Sequence, residues 1–380
     1  MTIRKSKLNF FDKLVLWLNI LLCGALLLSY LAPITNPSSC WIIAFFGLAY
    51  PILLLIAILF TFYWLLRKSI WVLLPVIVIC MGWGVLNKNF GLRSAIKPGI
   101  TKDTNAIRIM TYNVHNFKRY GSNNDTSTRN DILAIIKKQD PDLIGFQEFY
   151  TRNYGPYHMV NALKKLLKTN NYYLVGFDAN KTDSIGMAIF SKYPIVSRGL
   201  IMLSDDPTDE NQCIYVDVKK GEKIFRMYSV HLESIHFGSE DYSYLKSIPH
   251  GNTNMHSTKR LVGKLKSAFI KRAQQVFKVK QSAAACPYPY LISGDFNDTP
   301  SSFAVNQMGK GLKNAFCEKG SGFGKTYNGD FPNFQIDYIM VNRGFDVLNY
   351  DIIEKRLSDH YPVISDVKLV ESRTKSQESR

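Results

Sequence analysis

From Leu14 to Leu66 the chain contains no Asp, Glu, Lys, Arg or His. A helix buried in a soluble core rarely stays uncharged over such a length, whereas ~20 apolar residues suffice to cross a hydrocarbon layer. Three apolar stretches emerge, 14–31, 41–66 and 70–86, and each is expected to be a transmembrane helix. A signal peptide would explain only the first, which has no small-residue cleavage site behind it and two further stretches following. Arg4, Lys5, Lys7 and Lys13 precede the first stretch, the loop Pro33–Ser39 is uncharged, and Arg67 and Lys68 separate the second from the third. The excess of cations on one side predicts a cytoplasmic N-terminus in a plasma-type membrane. With three spans, the rest of the chain then lies on the non-cytoplasmic side, although Lys88, Arg93, Lys97 and Lys102 pull the other way.

The remainder is different in kind. Residues 1–102 hold ten cations and one acid, Asp12, while the rest hold 37 cations and 29 acids, a mild excess within a net charge of +17. A mildly basic domain suits a phosphate-bearing substrate without requiring one. Six cysteines include no CxxC pair and no zinc-like Cys/His spacing, which argues against a zinc module. The organisation expected is a membrane segment over 1–87, a linker over 88–105, a domain over 106–370 and a polar, disordered tail over 371–380.

Within the domain, strands are predicted at Ile107–Val114, Leu143–Phe146, Gly186–Phe190, Ile195–Met202, Cys213–Val218, Lys223–His231, Tyr290–Ile292, Ile336–Val341, Phe345–Ile353 and Val363–Leu369. Helices are predicted at Thr128–Lys138 and Thr258–Lys280. Many strands and few helices imply an α+β fold of packed sheets covered by helices.

Several polar residues fall where strands end. They are Asn113, Gln147 and Glu148, His231, Asp295 and Asn297, Asp337 inside an apolar run, and Asp359-His360 before Tyr361-Pro362. A sheet fixes such groups while leaving them open to a ligand. Asn, Asp and Glu are hard oxygen donors suited to Mg²⁺, and histidine moves protons near neutral pH. Together they meet the needs of phosphoryl chemistry, namely neutralised charge, an activated water and a stabilised leaving oxygen. Taken singly, a Glu after a strand is usually solvated and Asp-Phe-Asn-Asp is usually a turn. His115, His158, His236, His250 and His256 are read as surface or hydrogen-bonded histidines.

Thr-Tyr-Asn (111–113), Phe-Gln-Glu (146–148), Ser-Val-His-Leu (229–232), Ser-Gly-Asp-Phe-Asn (293–297), Ile-Asp-Tyr-Ile (336–339) and Ser-Asp-His-Tyr-Pro-Val (358–363) form an ordered set. That set, with the strand pair at 186–195, resembles the endonuclease/exonuclease/phosphatase family of DNase I-like proteins over Ile107 to Leu369. The resemblance implies a four-layer αββα sandwich and a divalent metal, Mg²⁺ with Mn²⁺ as a substitute. It implies Glu148 as the main metal ligand, helped by Asn113 and Asp359. His360 would act as the base or stabilise the pentavalent phosphorus, held by Asp337. Asp295 would orient the nucleophile or share the proton work, Asn297 would bond a phosphate oxygen, and His231 would contact phosphate or assist the leaving group. Arg272 and Gln275 resemble a family helix beside the site and offer phosphate contacts; a plain surface helix is the alternative.

The expected activity is Mg²⁺-dependent hydrolysis of phosphodiesters at a lipid bilayer, with a nuclease-like substrate favoured. A lipid or inositol-phosphate substrate is the alternative, and a non-catalytic binding module a third. The stretch 233–259, rich in aromatic residues and histidine, follows His231 and is a candidate for a loop overhanging the site.

Overall fold

A computed structural model of the chain describes residues 8–94, 96, 105–118, 126–206, 209–251, 253–329 and 333–370. The tail 371–380, half of the linker and Arg4, Lys5 and Lys7 lie outside the described residues.

The apolar segment forms α1 (Phe10–Ser29), α2 (Pro37–Leu48), α3 (Tyr50–Leu66), α4 (Leu73–Met81) and α5 (Trp83–Asn89). Among the described residues only α1, with 20 residues, is by itself long and apolar enough to cross a membrane; α2 and α3 meet at 49°, and α4 with its preceding turn meets α5 at 65°. The expected continuous helices over 41–66 and 70–86 are therefore broken, and three spans result only if each bent pair counts as one. Pro51 in the first turn of α3 cannot donate to the preceding helix, which accounts for the first bend. At the second, Gly82 lies against the Tyr30 ring, where a Cβ would come within 2.2 Å of Cζ. Asp12 ties one end of the bundle together by accepting from Tyr63 Oη at 2.7 Å and from Arg67. Most exposed large apolar side chains among the described residues lie in this segment, including Trp17, Ile52, Leu55, Leu59, Phe62 and Leu66.

The expected linker begins as the end of α5, and what is described of it is docked: Gly91 pairs with Gly322, and Tyr350 N donates to Ile96 O at 2.9 Å. The strands beyond are β1 (Ile107–Asn113), β2 (Leu143–Arg152), β3 (Asn171–Ala179), β4 (Asp183–Ser191), β5 (Ile195–Met202), β6 (Gln212–Lys220), β7 (Lys223–His231), β8 (Tyr290–Asp295), β9 (Lys313–Asn314), β10 (Asp337–Val341), β11 (Phe345–Val347), β12 (Asp351–Ile352) and β13 (Val363–Leu369). The helices are α6 (Thr126–Gln139), α7 (Met159–Leu167), α8 (Ser239–Ser247), α9 (Met255–Ala284), α10 (Phe303–Met308) and α11 (Ala315–Lys319). One sheet runs β11–β13–β1–β2–β4–β3, with β12 on β13, and the other β5–β6–β7–β8–β10–β9.

The sheets stack through Ile109, Leu143 and Ile189 against Val216, Met227 and Ile339. On the first sheet's outer face, Ile132 and Leu163 of α6 and α7 pack on Phe146 and Phe190. On the second, Val276 and Met308 of α9 and α10 pack on Ile292 and Tyr338. The result is the four-layer αββα sandwich, an α+β architecture. The helices α7 and α8 and the strand β3 fall where no element was expected, and the predicted strand Phe345–Ile353 is two short strands.

Strand alternation positions the site. On β7, β8 and β10, Met227, Leu291 and Ile339 face the inter-sheet core, so His231, Asp295 and Asp337 face the same way at the end of the sheet. Register places His231 beside Asp295 and Asp295 beside Asp337. Asn113 ends β1 on the facing sheet. Between Phe146 and Phe149 the pairing of β2 with β4 slips, and Glu148 sits in that bulge at φ +51°. Both phenylalanines join the outer core. The extra residue re-aims Glu148 into the cleft, which bulges commonly do beside active sites.

Close approach of β7 to β8 depends on Gly294. Its φ is +142°, and a Cβ there would fall 2.0 Å from the Val230 carbonyl oxygen. Gly294→Ala is expected to cost roughly 2–3 kcal/mol of stability, measured by denaturant titration, and to separate His231 from Asp295. A variant as stable as the wild type would contradict the pairing of Val230 with Gly294.

Candidate active site

At the sheet ends lies a cleft into which Glu148, His231, Asp295, Asn297, Asp359 and His360 project. Its heart is a buried line of three groups. His360 Nδ1 bonds Asp337 Oδ2 at 2.9 Å, and Nε2 of the same ring stands 3.5 Å from Asp295 Oδ2. His231 Nε2 approaches that Asp295 oxygen from the other side at 3.8 Å. The loop carrying His360 is pinned to β1, since Ser358 Oγ donates to the Asn113 carbonyl at 2.8 Å. Tyr327 packs edge-on against the imidazole, with ring centres 5.4 Å apart.

Charge in this line follows from its burial and its neighbours. Burial opposes protonation of His360, yet Asp337 and Asp295 outweigh it and hold the imidazole well above its ordinary value. Burial pushes the Asp295 carboxyl up, with His360 opposing and Asp337 adding to the rise. The pair thus favours a proton between two carboxylates.

A second cluster lies beside the first. Asn113 Nδ2 bridges Glu148 Oε1 at 3.0 Å and Asp295 Oδ2 at 3.1 Å. Burial works against charge on Glu148, but the His115 contact, His231 and Asn113 together hold it down at about 2. His115 Nδ1 stands 3.3 Å from Glu148 Oε2 and 3.8 Å from Asp359 Oδ1. Two carboxylates from distant segments therefore converge on one electropositive nitrogen, a donor set that fits a hard divalent cation. A tighter group, Asp295, Asp337 and His360, also has ligand-type atoms within 4.8 Å of one another. There, however, the short Asp337–His360 bond already uses Nδ1, which suits a proton-handling pair better than a metal cage.

The predicted residues thus come together, with qualifications. Asn297 lies in the cleft wall with its amide nitrogen on the Leu232 carbonyl at 2.9 Å. Arg272 lines the cleft but is buried, its Nε on Asp298 Oδ2 at 2.9 Å and its Nη1 on the Glu233 carbonyl at 3.0 Å. Gln275 accepts from Glu233 N at 2.8 Å behind the wall. The plain surface face considered for these two is excluded, since both are buried. His115 stands against Glu148 and Asp359, so of the surface and hydrogen-bonded readings the second holds for it; its place two residues beyond Asn113 at a strand end was the available signal. The 233–259 stretch does overhang the cleft, through Ser234–Phe237 and Tyr242 of α8.

Residues 110–360 match the profile of the endonuclease/exonuclease/phosphatase family, and residues 12–89 match a domain of unknown function. No curated protein matches the chain. Among solved structures, an endonuclease/exonuclease/phosphatase from Bacteroides vulgatus is similar at 20% identity and TM-score 0.52, over 70% of this chain and 99% of that one. A mannosyl-6-phosphatase from Bacteroides thetaiotaomicron is similar at 20% identity and TM-score 0.47, over 70% and 100%. The human Nocturnin catalytic domain with bound sulfate is similar at 15% identity and TM-score 0.49, over 71% and 97%.

Proposed function

The chain belongs to the endonuclease/exonuclease/phosphatase family of hydrolases acting on phosphate esters, and from that premise we propose a membrane-anchored, Mg²⁺-dependent phosphodiesterase. The observation that carries the proposal is the line Asp337–His360–Asp295 with His231 beside it, at the floor of a cleft that also holds Glu148 and Asp359.

In this reading water attacks phosphorus and the ester P–O bond opposite breaks. Asp295 takes the proton from the water. Asp337 orients His360 and supports its cationic form, so that Nε2 meets the charge growing on the phosphoryl oxygens. His231 supports departure of the leaving oxygen, and Asn297 holds the loop against Leu232. Glu148 and Asp359, with Asn113 beside them, are the residues that would hold Mg²⁺. When bound, the ion neutralises phosphate charge and polarises the phosphoryl group. Arg272 and Gln275 support the wall and leave phosphate contact to the others.

Membrane anchoring is supported by the exposed apolar surface of residues 10–96. Asp12 and Arg67 mark one end of the bundle, and the catalytic domain rests on the opposite end through Asn89 and Ser301, joined at 2.9 Å. That polarity supports a cytoplasmic N-terminus with the domain across the bilayer.

The test uses the full-length protein and bis(p-nitrophenyl) phosphate. Chelation is expected to abolish turnover, with Mg²⁺ restoring it and Mn²⁺ substituting. Saturating Mg²⁺ at about 100 times its Kd should stabilise the fold by about 2.7 kcal/mol, read as a rise in Tm, and Glu148→Gln should lose most of that rise. Metal-independent turnover would overturn the proposal.

A further inference from the structure

The apolar segment does more than tether the domain, because α2 is seated on it beside the reacting groups. Phe45 of α2 packs edge-on against Phe269 of α9 with ring centres 5.3 Å apart, and Lys266 of α9 lies over the Trp41 ring at 5.1 Å. Gly47 brings the helix backbone so close to the loop after Asp295 that a Cβ would lie 3.1 Å from the Ser301 carbonyl oxygen. One residue on, Leu48 enters the lining of the catalytic cleft itself.

The lining is two-sided. Glu148, Asp295, Asp359 and His360 occupy the floor, while Leu48, Leu265 and Phe269 form an apolar wall at the α2 side. Among the described lining residues there is no lysine, and Arg272 is committed to Asp298 and Glu233. A polyanion is held chiefly by cations that neutralise successive phosphates; here the cationic His360 serves the one phosphate at the floor, and His236 already faces Glu233 and Glu210.

Resting on the phosphodiesterase reading, we infer that the substrate is a lipid phosphodiester, with its phosphate on the carboxylate–histidine floor and its acyl portion along the wall that α2 supplies. Water adds to phosphorus, the P–O bond to one alcohol breaks, and that alcohol leaves with the proton. The bend between α2 and α3 places this wall where the segment exposed to lipid meets the domain.

The test compares two ligands that share one diester: dihexanoyl phosphatidylglycerol and glycerophosphoglycerol. With full-length protein and Mg²⁺, titration calorimetry on the His360→Ala protein should show at least tenfold tighter binding of the acylated ligand. Adding Leu48→Gln or, on the facing helix, Leu265→Gln should reduce that preference at least fivefold. Equal affinity for the two ligands, or a preference untouched by both substitutions, would overturn the inference. So would faster cleavage of single-stranded or plasmid DNA than of phosphatidylglycerol in vesicles. Turnover of bis(p-nitrophenyl) phosphate by the wild type reports the phosphodiesterase reading separately, since that ester carries no acyl chain.

Discussion

Replacing His360 with Ala should lower kcat for a soluble phosphodiester by roughly 10²- to 10⁴-fold, the range found when a positioned proton-handling group is lost. The imidazole is oriented by Asp337 at 2.9 Å and faces Asp295 with its free edge, so no neighbour can take its place. KM should change less than kcat, because the ring acts on charge that develops during the reaction. Removing it also leaves Asp337, one of whose oxygens already lacks a partner, buried without a cation. The variant should therefore be checked by thermal unfolding, and His360→Gln used as a milder control. Turnover within tenfold of the wild type in a folded His360→Ala protein would sink the assignment of this line as the catalytic centre.

The largest effect on stability is expected at Arg272. Its guanidinium is buried between Asp298 and the Glu233 carbonyl, and Asp298 is itself buried. Burial pushes the Asp298 carboxyl up while Arg272 opposes that rise. Arg272→Ala strips this carboxylate of its counter-ion, and breaking such a pair from one side costs roughly 3–5 kcal/mol. Asp298 follows the Asp295–Asn297 loop directly, so activity should fall as well, but in step with the loss of fold. The double variant Arg272→Met with Asp298→Leu should recover much of the stability, because it removes both charges together. A stable Arg272→Ala protein with a selectively raised KM would instead make Arg272 a phosphate ligand.

Much of the site was legible in the chain because its residues stand at strand ends inside short blocks whose order is informative. His231, Asp295 and Asp337 needed only the two-residue alternation of strands to share a face, and register does the rest, with Asn113 meeting them from the facing sheet. His115 was left out of the site because its contact with Glu148 depends on a left-handed turn at φ +41° that aims Nδ1 there, and its nearness to Asn113 in sequence does not announce that conformation. The helix Met159–Leu167 and strand Asn171–Ala179, nine residues each, were missed because the boundary between them lies in a polar run without a strong turn signal. Composition showed the apolar segment but not its bends. Those depend on how Pro51 and Gly82 meet neighbouring helices, a tertiary matter. Arg272 and Gln275 looked equally suited to solvent or ligand, and only burial assigns them to the wall.

The seating of α2 on α9 has a kinetic corollary under the membrane reading. A centre clamped to its anchor cannot swing out on a flexible leash to search bulk water; it meets substrate by lateral diffusion at a fixed height. Turnover should then follow the mole fraction of substrate in the surrounding leaflet, falling as inert lipid dilutes it even when the total amount in the tube is unchanged.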